Sequence, residues 1–270
     1  VKAIVYETYG PPDVLQLKEI PAPTPKDNEL LIEVRATTVT SGDVRMRSLN
    51  VPYGFKLLSR LALGIRSPRK QILGQEFSGV VVAVGKNVKS FAVGTPVFGM
   101  SDAFGGCYAE YRTIPESESI AVKPANVTFE EAAALCFSGT TALDFFRKGK
   151  LKSGERVLIN GASGAVGTAA VQLAKHLGAH VTGVCSTANL ELIRSLGADA
   201  VIDYTKEDFT RNGELYDIIM DTAGTAPFSR CKDSLKSGGR LLLVLCGLPE
   251  TLESVWINAT TDKKLWPGSP

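Results

Sequence analysis

The run Val157-Leu-Ile-Asn-Gly-Ala-Ser-Gly-Ala-Val-Gly-Thr-Ala-Ala-Val-Gln-Leu-Ala-Lys175 decides the fold of this chain, because strand, turn and helix follow one another in it without a break. Residues 157–159 form a short apolar run of the kind that fills a parallel strand buried on both faces. Residues 168–177 repeat apolar side chains at helical spacing, and Gly161, Gly164 and Gly167 lie between the two patterns. A helix start exposes unpaired N–H groups and the positive end of its dipole, so a turn without side chains lets a pyrophosphate approach that backbone. Gly161, Ala162, Ser163, Gly164, Ala165, Val166 and Gly167 are therefore candidate cofactor-binding residues, with Ala162 at the first glycine position of a G-x-G-x-x-G pattern.

Such a pattern alone is also what an ordinary tight turn looks like, so its surroundings decide. A second strand at 179–185, a second helix at 189–196, a third strand at 200–203 and a fourth at 217–221, ending at Thr222-Ala223-Gly224, complete a βαβαβ unit. A glycine turn at the first bend of such a unit points to a bound dinucleotide. Upstream the texture changes. Residues 30–36, 77–84 and 95–98 alternate or run apolar between punctuation such as Gly10-Pro11-Pro12 and Gly94-Thr95-Pro96, which predicts a small, partly open β-barrel. A helix over 127–135, with Thr128 at its N-cap and Glu130 and Glu131 in its first turn, opens the second domain. The expected domains are therefore 1–124 and 125–270, divided at Lys123-Pro124.

The 270 residues suffice for two domains, and a 44% hydrophobic composition is that of a folded globular chain. Thirty basic against 28 acidic residues leave +2, so no global field argues for nucleic acid or a membrane as partner. No apolar run has membrane length, and residues 2–6 read as a strand instead of a signal peptide, which predicts a cytoplasmic protein. The five cysteines are separated and lack metal spacing, so reduced thiols are expected. His176 and His180 read as solvent-facing or packing residues at the end of the first helix, and no Ser-His-Asp set is formed. Residues 53–70 hold Lys56, Arg60, Arg66, Arg69 and Lys70 among leucines, with Gly54, Gly64 and Pro68 limiting helix length. They read as a solvated lid or loop near a substrate cleft in preference to a membrane-surface or partner helix.

Six ordered stretches carry a family resemblance: Lys2-Ala-Ile-Val-Tyr6, Val39-Thr-Ser-Gly-Asp43, Gly74-Gln-Glu-Phe-Ser-Gly-Val80, Val93-Gly-Thr-Pro-Val-Phe-Gly99, Gly106-Cys-Tyr-Ala-Glu-Tyr111 and Gly161-Ala-Ser-Gly-Ala-Val-Gly167. From residue 1 to about 256 the chain resembles the quinone oxidoreductase branch, which includes zeta-crystallin, of the medium-chain dehydrogenase/reductase superfamily. The resemblance implies an α/β protein, with a GroES-like β-barrel catalytic domain and a Rossmann doubly wound parallel sheet, nicotinamide and substrate meeting between them. In zinc alcohol dehydrogenases of that superfamily a cysteine matches Thr40, a histidine matches Gln75 and a second cysteine lies close to Phe137. This chain offers neither thiolate nor imidazole at those positions, so no metal is expected. Without a Lewis acid to help an alcohol lose hydride, direct reduction of a quinone or an α,β-unsaturated carbonyl is the easier chemistry. A small electrophilic acceptor is the implied substrate.

The loop Gly183-Val-Cys-Ser-Thr-Ala-Asn189 lacks the acid that usually binds the adenosine ribose of NAD. Ser186 and Thr187 can bond a 2′-phosphate, Asn189 adds no charge, and Tyr204 matches a tyrosine that contacts this phosphate in similar enzymes, so NADPH is the expected cofactor. Arg194 is the nearest base by sequence. The resemblance places Thr141 near the nicotinamide and Thr40 in the cleft, while Ser41 or Asp43 caps a helix over 44–48. Arg45 stands where some relatives have a substrate-side tyrosine, for which Tyr53 is a substitute; Thr40, Arg45 and Tyr53 are the catalytic candidates. Ala223, Cys246 and Gly247, after the fourth and fifth strands, complete the cofactor-binding set. Family members continue beyond a fifth strand, here 240–245, whereas this chain reaches only the start of a sixth at 263–266, so an apparently incomplete C-terminal part is expected. A sheet edge left uncovered there could pair with a second copy as a homodimer. Two other functions fit the same residues: an NAD(P)-binding scaffold or redox sensor without turnover, and a zinc-free NADP-dependent alcohol dehydrogenase.

Overall fold

Antiparallel pairing dominates the first part of the chain. Strands β1 (Lys2–Tyr6) and β2 (Leu15–Glu19) pair with each other, and β3 (Glu29–Thr37), β4 (Glu76–Val84), β5 (Pro96–Met100), β6 (Tyr111–Pro115) and β7 (Ile120–Val122) form an antiparallel sheet in the order β6-β3-β4-β5-β7. Alternation drives it: Leu30, Ile32, Phe77, Val81, Val97 and Ile114 point to one face and are fully buried. The β3–β4 register breaks between Leu31 and Ile32 and again between Val34 and Ala36. Such bulges bend a strand and raise its twist, which curls this sheet toward the expected barrel. Helices α1 (Ser41–Ser48) and α2 (Lys56–Leu63) sit in the long β3–β4 connection.

Helix α3 (Phe129–Lys148) leads into the parallel sheet. Its strands are β8 (Arg156–Asn160), β9 (His180–Cys185), β10 (Ala200–Asp203), β11 (Tyr216–Asp221), β12 (Leu235–Leu243) and β13 (Lys264–Pro267), in the order β10-β9-β8-β11-β12-β13. That is the Rossmann order. Val157 and Ile159 face a core with Phe146, Val171 and Met220, while Leu158 faces the opposite core with Ile219, Leu241 and Leu265. Burying each such side chain contributes roughly 1.5–3 kcal/mol, which is why the run has no polar alternation. Helices α4 (Ala165–His176), α5 (Leu190–Ser195), α6 (Phe228–Cys231) and α7 (Leu248–Thr260) connect the strands.

These are features of a computed structural model that describes residues 1–101 and 105–268. The chain divides into two units, Val1–Val51 with Lys56–Phe137 and Pro52–Phe55 with Ser138–Pro270. The sixth parallel strand is present and pairs with β12 from Arg240 opposite Lys264 to Leu243 opposite Pro267. It is the sixth strand expected at 263–266.

Candidate functional site

The glycine turn joins β8 to α4, and each glycine answers a different demand. Gly161 has φ +80°, and a Cβ there would stand 2.6 Å from Thr222 Oγ1. Gly167 would drive a Cβ to 2.2 Å from the Gly161 carbonyl oxygen, so it permits α4 to pack on the turn. At Gly164 a Cβ would meet only the Gly161 oxygen at 3.5 Å. Nothing inside the protein requires a glycine there. Gly164 is the N-cap of α4 and has no side chain to cap the first N–H groups, which Ala165, Val166 and Gly167 supply. Gly164 and Ala165 are exposed, Ser163 and Val166 half-buried, and Ala162 fully buried against the position of Gly183. An anion is the natural partner of such an uncapped helix start.

The residues expected at the adenosine end lie where β9 and β10 finish side by side, Cys185 opposite Asp203. Ser186 Oγ accepts from Asn189 Nδ2 at 3.1 Å. Thr187 Oγ1 donates to Asp203 at 2.5 Å, and Thr205 donates to the other oxygen of the same carboxylate at 2.7 Å. These hydroxyls hold the Asp203 carboxyl down to about 2. Tyr204 is exposed beside them, and the Lys206 ammonium lies 3.6 Å from Asp203. Lys206 is the base that sequence reasoning missed, because only the β9–β10 pairing brings it to the Ser186 loop. Arg194 is engaged by Glu191 one turn away on α5.

The order β9-β8-β11 places the sheet's switch point between β8 and β11, where such sheets bind ligands. Asp221, buried at the end of β11, accepts from Asn160 Nδ2 at 2.9 Å and from the N–H groups of Ala223, Gly224 and Ala226 at 3.1, 3.1 and 2.8 Å. It therefore fixes the loop that carries Ala223. A strand ending in Asp-Thr-Ala-Gly was the available signal for this role. After β12, Cys246 is buried and its thiol donates to the Gly268 carbonyl at 3.6 Å. Gly247 begins α7, and the Tyr53 carbonyl accepts from Leu248 N at 3.0 Å. Tyr53 thus joins Cys246 and Gly247, with its ring 84% exposed. Thr141 is half-buried in the interior of α3, in the same unit.

Thr40 and Arg45 belong to the other unit. Thr40 caps α1: it accepts from Asp43 N at 3.3 Å and donates its hydroxyl to Asp43 Oδ2 at 2.7 Å, while Asp43 Oδ2 also accepts from Thr40 N at 2.9 Å. The helix therefore starts three residues before the expected 44, with Thr40 as cap and Asp43 as its reciprocal partner. The second Asp43 oxygen accepts from Gly74 N at 3.0 Å. Arg45 is half-buried in the last turn of α1, where a cation complements the helix dipole. Gln75 Oε1 lies against Gly42, close enough that a Cβ there would be 2.7 Å away. Next to it Glu76 is buried, accepting from Phe137 N at 2.5 Å and from the Thr38 hydroxyl; burial still pushes its carboxyl up. Burial likewise pushes the Cys107 thiol to about 11 and the Cys136 thiol to about 12, which disfavours the thiolate a metal would need. Among the described residues no group of three or more His, Cys, Asp or Glu could hold a metal ion. The residues present do not fit a catalytic zinc.

Known proteins align with this architecture. The alcohol dehydrogenase GroES-like domain family matches residues 26–124, and the zinc-binding dehydrogenase family matches residues 165–265. A chloroplastic quinone-oxidoreductase homolog of Spinacia oleracea is 35% identical over 274 residues, covering 97% of this chain and 80% of that protein. A chloroplastic NADPH-dependent alkenal/one oxidoreductase of Arabidopsis thaliana is 33% identical, covering 90% of this chain. This chain spans 62% of that protein's length, less than two thirds. The solved quinone oxidoreductase of Coxiella burnetii superposes with a TM-score of 0.85 at 30% identity, over 98% of this chain and 81% of its own. With its GroES-like sheet, its Rossmann sheet and no ligand set for zinc, the chain belongs to the zinc-independent quinone oxidoreductase branch of the medium-chain dehydrogenase/reductase superfamily.

Proposed function

We propose that this protein is an NADPH-dependent oxidoreductase that delivers hydride to a quinone or an α,β-unsaturated carbonyl. The observation that carries the reading is the open position at Gly164, where the protein leaves the uncapped start of α4 bare for a pyrophosphate. When bound, the reduced nicotinamide supplies the hydride. The chain's own residues then bind and orient. The N–H groups of Ala165, Val166 and Gly167 hold the pyrophosphate. Ser186 O–H, Tyr204 and Lys206 meet the 2′-phosphate, with Thr187 held in place by Asp203. Asp221 fixes the Ala223 loop beside the glycine turn. The spinach and Arabidopsis relatives, the latter by name NADPH-dependent and acting on alkenals and alkenones, support the acceptor class and the cofactor.

The test is loss of reduced-nicotinamide absorbance with 1,4-benzoquinone and with an alkenal, using NADPH and NADH in parallel. Turnover with NADPH at well above the NADH rate is the expected result. Tight NADPH binding without turnover would replace the reading by a scaffold or sensor, and equal affinities for the two cofactors would remove the NADPH assignment.

A further inference from the structure

We propose that α2 and the chain flanking it are a docking face for an anionic lipid surface. At 100° per residue, Leu57, Leu58, Leu61 and Ala62 fall on one side of α2, and Ser59 and Arg60 on the other. A helix packed on its own domain turns the apolar side inward. Here it is reversed: Leu57, Leu58 and Leu61 are 71, 59 and 50% exposed, while Ser59 and Arg60 are half-buried. Ile65, two residues beyond the helix, is exposed as well.

The orientation is held by specific bonds. Tyr9 O–H donates to the Gly64 carbonyl at 2.9 Å, Arg69 N to the Leu63 carbonyl at 2.7 Å, and Arg60 Nη1 to the Ile65 carbonyl at 2.7 Å. Gly64, at φ +129°, passes so close to Ser67 that a Cβ would lie 2.0 Å from its carbonyl oxygen.

Charge names the partner. From Val44 to Gln75 there is no Asp or Glu but seven Lys and Arg, and the rest of the chain keeps 23 basic against 28 acidic residues. Among the described residues, none of the ion pairs includes Lys56, Arg60, Arg66, Arg69 or Lys70. A second copy of this chain docked face to face would bring the exposed Lys56, Arg66, Arg69 and Lys70 against their own counterparts. A surface that offers hydrocarbon beneath negative headgroups accepts the leucines and the unpaired cations together. No helix among the described residues is long and apolar enough to cross a membrane, so the contact is peripheral.

Flotation of the full chain with phosphatidylcholine vesicles, with and without phosphatidylglycerol, tests this without any turnover. We expect binding to the vesicles containing phosphatidylglycerol, weaker by about tenfold on phosphatidylcholine alone or in high salt. L57S/L61S should lose binding by about tenfold, because two exposed leucines leave the bilayer, while keeping its melting temperature. R66Q/R69Q should lose binding and salt dependence together. Binding to neither vesicle, equal binding to both, or L57S/L61S floating like wild type would overturn the proposal. So would a salt-resistant dimer that L57S/L61S dissolves, which would make a second copy the occupant.

Discussion

At the scale of single residues, the three glycines of the turn make separable demands. Gly161→Ala forces a side chain into left-handed backbone and onto Thr222, and Gly167→Ala puts a methyl group into the Gly161 carbonyl. Each should cost about 1–3 kcal/mol of unfolding free energy. Gly164→Ala has room and should cost less than about 1 kcal/mol as a poorer cap, while weakening NADPH binding by about tenfold or more. Chemical denaturation and a binding titration on the three variants separate the roles; a Gly164 variant that binds normally removes the pyrophosphate from that position. Asp203 makes a different prediction. Its folded-state value of about 2 lies below the ordinary 3.8, so its contribution to stability is complete above the ordinary value and is lost as pH falls through the folded one. Wild type should therefore lose its advantage over Asp203→Asn as acid denaturation midpoints are followed downward from about pH 4. A constant difference would mean that the Thr187 and Thr205 bonds to the carboxylate do not select its charged form.

At the scale of elements, Glu76 ties the start of β4 to Thr38, after β3, and to Phe137 in α3. Burial outweighs these donors and raises its carboxyl above the ordinary 4.5. The native state then holds the proton more tightly than the unfolded chain, so this contribution to stability weakens as pH climbs from the ordinary value through the raised one. Glu76→Gln keeps an acceptor for Phe137 N and abolishes the titration. Relative to it, wild type should gain stability on moving from neutral to mildly acidic pH, read from urea midpoints; a gain in the opposite direction would show that the Thr38 and Phe137 bonds dominate. Helix α1 offers the simpler test of Thr40. Thr40→Ala should cost about 1 kcal/mol through the lost cap, and Thr40→Ser should restore it. If turnover falls in the alanine variant and returns in the serine variant at equal stability, the hydroxyl acts beyond the cap.

Across the whole molecule, the legible parts were those whose pattern is local. The strand-turn-helix run from Val157 to Lys175 and the βαβαβ order could be read because each segment carries its own period. Helix α3 runs to Lys148 although Ser138-Gly-Thr-Thr141 favours an end near 135, because burial of Ala142, Phe145 and Phe146 overrides weak propensity. Residues 53–70 read as a solvated lid or loop, because Gly54, Gly64 and Pro68 break the pattern, yet Lys56–Leu63 is a helix whose Leu57, Leu58 and Leu61 face water. Lys206, Asp203 and Asn160 became candidate site residues only through strands paired across long stretches of sequence, which no local pattern contains. The assignment of the cofactor to the second unit leads to a last prediction, since all but two of the candidate residues, Thr40 and Arg45, lie in Pro52–Phe55 and Ser138–Pro270. Saturating NADPH at about a hundred times its dissociation constant should stabilise the folded state by about 2.7 kcal/mol. Amide hydrogen exchange should show where. Protection should rise at 161–167, at 186–189 with 204–206, and at 223–224, while the buried cores of β3, β4 and β6 exchange as before. Protection confined to those antiparallel strands, with the glycine turn unchanged, would place the cofactor elsewhere, because an uncapped helix start that binds a pyrophosphate cannot leave its first N–H groups as open to solvent as before.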